Sequence, residues 1–269
     1  MKERIDKILT DRNFAQSKSQ AQALIMAGHV KVNGEIITKS SNTFDTDKEL
    51  NIEVKSLPFV SRGGLKLDKA IKYFGINLTD KICLDAGAST GGFTDCMLQN
   101  NAKKVYSVDV GYGQIAWKIR QNEKVKTIER TNIKNCSFLD IFDNENDEKC
   151  DFCAMDLSFI SITKVLNNIK NFIKENNFEI VALIKPQFEA GREFIEKKGV
   201  VKDKKVHIQV IKNIIEFCSS IGLNAQQLTF SPITGPAGNI EYLVYLTKDS
   251  LKINDEIITD VVENVNFDK

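Results

Sequence analysis

A net excess of charge of either sign is nearly absent: 37 Lys and Arg against 36 Asp and Glu leave a formal net charge of +1 over 269 residues. A uniformly basic surface is excluded, so any contact with nucleic acid has to rest on a local patch. The chain also lacks any apolar run long enough to cross a bilayer, and its start, MKERIDKILTDRNF, has no unbroken apolar stretch of the kind a secretory leader needs. A cytoplasmic location is therefore expected. No internal repeat or low-complexity tract appears. The six cysteines (Cys83, Cys96, Cys136, Cys150, Cys153 and Cys218) are scattered, mostly in apolar stretches, and read as free thiols. Cys150 and Cys153 have the spacing of half a zinc site, but no second pair follows, so no metal is expected.

What is present suffices for a full core, with room for one large domain and a small one. Residues 1–39 carry seven Lys and Arg against four Asp and Glu, a local basic excess. Ser17-Lys-Ser-Gln20 reads as a capping box opening a helix that stops at Gly28. HVKVNGEIIT then reads as a hairpin turning at Asn33-Gly34. Over RIDKIL, the Ser17 to Gly28 helix and VKVNG, the chain resembles the alpha-L RNA-binding module of a ribosomal small-subunit protein and of many RNA-modifying enzymes. That resemblance implies that Lys18, Gln22 and Lys31, with Arg4, lie near an RNA backbone.

Pro58 marks a break, and a domain boundary is placed there: a small α+β domain over 1–57 and a larger one over 58–269. After the break VSRGGLKLDKAIKYF is amphipathic, with Leu65, Leu67, Ala70, Ile71 and Phe74 inward. From Lys81 on, β-rich apolar runs alternate with helical ones in the rhythm of a doubly wound α/β sheet. LNAQQLTFSPI and IEYLVYLT break that rhythm, because only TGPAGN separates them and the last strand can turn back antiparallel. A parallel sheet closed by such a hairpin resembles the class I methyltransferase fold, and that resemblance implies a Rossmann-like, mostly parallel seven-stranded sheet with an antiparallel last strand.

Leu84-Asp-Ala-Gly87-Ala-Ser-Thr-Gly91-Gly92-Phe93 joins the first strand to the first helix, where glycines allow a ligand close to the backbone. Asp109, 24 positions after Asp85, ends the next strand and is placed to accept hydrogen bonds from a ribose diol. The loop is not GxGxxG, and DAGASTGGFTD resembles the loop that wraps the methionine moiety in class I methyltransferases; that resemblance implies S-adenosylmethionine over a nicotinamide cofactor. Asp85, Gly87, Ser89, Gly91, Gly92, Phe93 and Asp109 are the candidate cofactor residues, with Asn132 of ERTN on the adenine side.

Polar residues also stand out in SRGGLKL, DLSFIS, LIKPQFE and GPAGNIEYL. With DAGASTGGFTD, DVGYGQ and ERTN, these segments make nearly the whole chain resemble the TlyA family, which couples the alpha-L module to an FtsJ-like ribose methyltransferase. The linker KSLPF matches that family less well. The resemblance implies a Lys-Asp-Lys-Glu tetrad at Lys66, Asp156, Lys185 and Glu241, an RNA contact at Arg62, and 2'-O-methylation of cytidine in ribosomal RNA, with ribosomal subunits as partners. Lys185 is the expected proton acceptor. Two rivals differ in class: an idle ribosome-binding assembly factor, against which the intact tetrad argues, and a haemolysin, a name some relatives carry. A base N-methyltransferase would usually end its fourth strand in Asn/Asp-Pro-Pro-aromatic, where this chain has DLSF.

Overall fold

The computed structural model describes residues 2–265, apart from 16, 27, 56, 57 and 197 and the side chains of 19, 20 and 23. The chain divides into two units, Met1–Pro58 and Phe59–Lys269.

In the first unit β1 (Lys2–Arg4) leads into α1 (Ile5–Asp11), α2 (Lys18–Met26), β2 (Val30–Val32), β3 (Glu35–Ile37), β4 (Thr43–Asp45) and β5 (Ile52–Val54). β2 is the centre of a three-stranded antiparallel sheet between β3 and β5, and β1 pairs antiparallel with β4. Asn33 and Gly34 both have positive φ, +52° and +84°, as a two-residue hairpin turn of the primed type requires. Alternation along β2 buries Val30 and Val32 with Ile5, Leu9 and Ile25 and leaves Lys31 in solvent. The proposed capping box falls on Gln20, whose side chain lies outside the described residues.

The second unit opens with α3 (Gly63–Phe74), followed by β6 (Ile82–Ala86), α4 (Gly92–Gln99), β7 (Lys104–Val108), α5 (Trp117–Arg120), β8 (Val125–Ile128), α6 (Phe138–Ile141) and β9 (Phe152–Met155). It continues through α7 (Thr163–Ile169), β10 (Glu179–Ile184), α8 (Pro186–Glu189), a 3-10 turn (Arg192–Phe194), α9 (Lys204–Ser220), β11 (Asn224–Phe230), β12 (Tyr242–Thr247) and α10 (Asp255–Glu263). The strands form one seven-stranded sheet in the order β11-β12-β10-β9-β6-β7-β8. Every pairing is parallel except those of β12, which runs against both β10 and β11. The expected architecture is therefore the observed one.

The central strands read as unbroken apolar runs because both faces are covered. Leu84, Met155 and Ile180 join one core with Val165 of α7, Ile211 of α9 and Ile258 of α10. Cys83, Phe152 and Val181 join the other, with Leu67 of α3 and Phe93 and Met97 of α4. Fully burying a side chain such as Leu67 contributes about 1.5–3 kcal/mol. All six cysteines are buried and free. The chain order reverses between β6 and β9, so the crevice at the carboxyl ends of these strands is where a ligand fits such a sheet.

Candidate active site

Four elements converge on that edge. Asp156 directly follows β9 and Lys185 directly follows β10. Lys185 is extended, with φ −113°, and Pro186 starts α8 immediately after it. Lys66 comes from the inward face of α3, and Glu241 immediately precedes β12.

Their charged ends form one chain. Lys185 Nζ lies 2.5 Å from Asp156 Oδ1, and Lys66 Nζ lies 3.1 Å from Asp156 Oδ2 and 2.8 Å from Glu241 Oε2. Two cations alternate with two anions, so the cluster is neutral although Lys66, Lys185 and Glu241 are buried. Two neutral side chains close its ends: Lys185 donates to Ser158 Oγ at 3.1 Å, and Gln187 Nε2 donates to Glu241 Oε1 at 3.2 Å. Burial lowers the Lys66 pKa, but the carboxylates of Asp156 and Glu241 more than offset it, and the group stays above the ordinary lysine value. Burial raises Asp156, but Lys66 and Lys185 more than offset that, and the carboxyl stays below its ordinary value.

The loop after β6 abuts this cluster. A Cβ on Gly87 would come within 2.6 Å of the Asp156 carbonyl oxygen, and its φ of +92° also demands glycine. Ser89 and Gly91 share the left-handed conformation, with φ +49° and +88°, and Gly91 caps α4. Gly92 is needed for close approach, since a Cβ there would strike Ser61 Oγ and come within 2.8 Å of the Gly64 nitrogen. Asp109 accepts from Ser89 N at 2.8 Å and Gly111 N at 2.7 Å, using one acceptor position on each oxygen and leaving a second on each for a ligand.

Other expected residues sit differently. Asp85 is fully buried within β6 and accepts from Thr94 Oγ1 at 2.6 Å, while its Oδ1 has no hydrogen-bond partner among the described residues. Burial, partly opposed by Thr94, pushes its pKa up to about 7. Phe93 packs into the core beneath α4. Asn132 is exposed, its side-chain oxygen accepting from Lys134 N at 3.1 Å in a turn. Arg62 is exposed at the start of α3.

In the first unit Lys18 and Lys31 are exposed, whereas Arg4 and Gln22 share a tether. Arg4 grips the buried Asp6 through two bonds, of 3.0 and 2.7 Å, and Gln22 Nε2 donates to Asp6 at 2.9 Å. The bond from Arg4 first, then that from Gln22, hold the Asp6 carboxyl far below its usual range against the effect of burial.

Sequence reasoning missed Ser158, Gln187 and an aromatic pair. Phe159 is 90% exposed at φ +65°, unusual for a bulky residue, and its ring lies 5.2 Å from that of Phe188. Phe188 in turn lies beneath Lys185 Nζ, 5.8 Å from its ring centre. The available signal was one aromatic in each of two tetrad segments, DLSF and KPQF. Val110 and Tyr112, beside Asp109, are also exposed, with the Arg130 guanidinium 4.0 Å above the Tyr112 ring.

The model of the FtsJ-like methyltransferase family matches residues 59–248, and that of the S4 domain matches residues 3–49. The chain belongs to the FtsJ-like methyltransferase family. An S4 domain precedes its methyltransferase domain. Among curated relatives, a Bacillus subtilis protein provisionally named rRNA methyltransferase YqxC is 43% identical over 98% of this chain and 94% of its own length. The 16S/23S rRNA (cytidine-2'-O)-methyltransferase TlyA of Mycobacterium tuberculosis is 36% identical over 90% and 89%. A Streptococcus thermophilus protein of solved structure, provisionally named a hemolysin, superposes with a TM-score of 0.76 at 39% identity, over 97% of this chain and 94% of that one.

Proposed function

We propose that this protein methylates the 2'-hydroxyl of a cytidine ribose in ribosomal RNA, using S-adenosylmethionine, and that the tetrad Lys66, Asp156, Lys185 and Glu241 carries the reaction. The observation that carries this reading is the unbroken ion-pair chain at the carboxyl ends of β9 and β10, beside a loop that can admit a cofactor backbone-first. Gly87, Ser89, Gly91 and Gly92 would cradle the cofactor, and Asp109 has acceptor positions left for a ribose diol. When bound, S-adenosylmethionine supplies an electrophilic methyl group.

The two lysines divide the work. Lys66 touches two carboxylates and is held as a cation, which suits it to orientation and not to proton removal. Lys185 touches only one, and a lysine that has released its own proton can take that of the ribose hydroxyl at Nζ. Asp156 spans both lysines and fixes their separation, and Glu241 anchors Lys66 from the far side. Much of the rate arises from this alignment of groups already in place. The exposed Phe159 offers a ring on which a base lifted out of its stack can rest.

RNA is held by the first unit, through Lys18, Lys31 and the tethered Arg4 and Gln22, and by Arg62 at the start of α3. Phosphates are the groups contacted there. Ribosomal RNA or ribosomal subunits are the partners, in the cytoplasm. Among the described residues no helix is long and apolar enough to cross a membrane. Mass mapping of ribose methylation in ribosomal RNA from cells with and without this gene tests the reading. Loss of a cytidine ribose methyl group without the gene is expected, and an unchanged map contradicts it.

A further inference from the structure

Glu241 is held by a clamp that the reaction itself does not use. Two residues before it, the buried Asn239 accepts from Val201 N at 3.1 Å and donates to the Gly199 carbonyl at 2.9 Å. One residue after it, the Tyr242 hydroxyl lies 2.7 Å from His207 Nδ1, and His207 Nε2 lies 2.8 Å from the Val201 carbonyl. A carbonyl can only accept, so Nε2 carries the proton and Nδ1 accepts from Tyr242. The backbone of residues 235–239 closes on itself, with Gly235 N donating to the Asn239 carbonyl at 2.9 Å. A Cβ on Gly235 would meet Glu241 Oε1 at 2.9 Å, so this closed loop is the wall against which the carboxylate rests.

We propose that Asn239 and His207 are positioning residues for Glu241, fastening residues 199–201 to the start of β12 so that the carboxylate stays in register with Lys66. The segment 199–201 is the shared strap: Asn239 binds it on one side of Glu241 in sequence and His207, through Tyr242, on the other. Both residues are buried and polar, so losing either leaves backbone groups of the strap without partners as well as freeing Glu241. This inference rests on the methyltransferase reading above.

The test is a double-mutant cycle on the full-length protein, with single-turnover methylation of ribosomal RNA as the rate and calorimetry for S-adenosylmethionine affinity. Asn239→Ala should slow transfer by about ten- to a hundred-fold, as displacement of an aligned group does, with cofactor affinity unchanged. In a Glu241→Gln background the same change should cost nothing further, because the carboxylate it serves is gone. An equal loss in both backgrounds, or no loss in either, overturns the clamp. If Asn239→Ala does not fold, His207→Gln is put through the same cycle with the same two outcomes. A parent protein that transfers no methyl group refutes the underlying reading instead, and is distinguished by that alone.

Discussion

Lys66 and Glu241, 175 positions apart in the chain, meet at 2.8 Å with both side chains almost wholly buried. The reversed last strand makes this possible. β12 runs antiparallel to β10, with Tyr242 opposite Ile184, so its beginning lies at the edge where the parallel strands end. Glu241 thereby reaches the same crevice as Asp156 and Lys185.

Asp156 stands between two lysines, and its removal leaves Lys185 without its carboxylate and Lys66 with Glu241 alone. Asp156→Asn should cost roughly 3 kcal/mol of stability, as loss of one partner from a buried pair does. The carboxyl lies below its ordinary value, so its contribution is present above that value and is lost as pH falls through the lowered one. Lys66 lies above its ordinary value, so its contribution is present below that value and is lost as pH rises through the raised one. Thermal unfolding of parent and variant across pH should show a gap that is constant near neutrality and closes only in strong acid or strong alkali. A gap that closes between about pH 6 and 8, a window that lies between the ordinary values of these two groups, contradicts the assignment.

Asp109 holds the Ser89 and Gly111 amides and has two acceptor positions to spare. Asp109→Ala should weaken S-adenosylmethionine binding by at least about ten-fold, the equivalent of one charge-assisted hydrogen bond, and leave the fold intact. Calorimetry that finds parental affinity makes Asp109 only a brace for the loop.

Gly87→Ala confronts both a left-handed backbone and the Asp156 carbonyl at 2.6 Å. The conformation alone costs about 1–2 kcal/mol, and the contact forces the cofactor loop away from β9. Cofactor binding and methyl transfer should fall together. A variant that loses neither shows that the loop and the tetrad are not mechanically joined.

Much of this was legible in the sequence because the relevant constraints are local. Unbroken apolar strands, the Asn33-Gly34 turn and the glycines of the loop each follow from neighbours in the chain. The four tetrad residues came from resemblance, and no periodicity marks Lys66 as different from Lys69. Ser158 and Gln187 were missed because their roles exist only once β9, β10 and β12 lie side by side. The burial of Asp85 was not legible in the sequence, because a strand-end acid often faces solvent, whereas here β6 continues through Ala86. The same holds for Phe93, the second residue of α4, which joins the core. The helix α10 was not anticipated, since only Ile258 and Val262, four apart, mark its inward face, with Asn254 capping it at Ile257 N.

Arg4 and Gln22 were expected to face RNA, and both are tied to Asp6. Asp6→Asn removes the charge that orients them, so RNA affinity should fall while S-adenosylmethionine affinity does not. The dependence of RNA binding on salt should also flatten as phosphate contacts are lost. An unaltered salt slope with unaltered affinity assigns Asp6 to the fold of the first unit alone.

The most direct measurement is methyl transfer in vitro, with purified protein, S-adenosylmethionine labelled in its methyl group and ribosomal subunits, followed by nuclease digestion and mass analysis of the nucleosides. The parent is expected to place label on the 2'-oxygen of cytidine, with a rate that rises with pH to a plateau, and Lys185→Ala should leave turnover nearly abolished at saturating cofactor and RNA. Label on a base instead of a ribose, or a Lys185→Ala protein with the parent's rate and pH profile, contradicts the account.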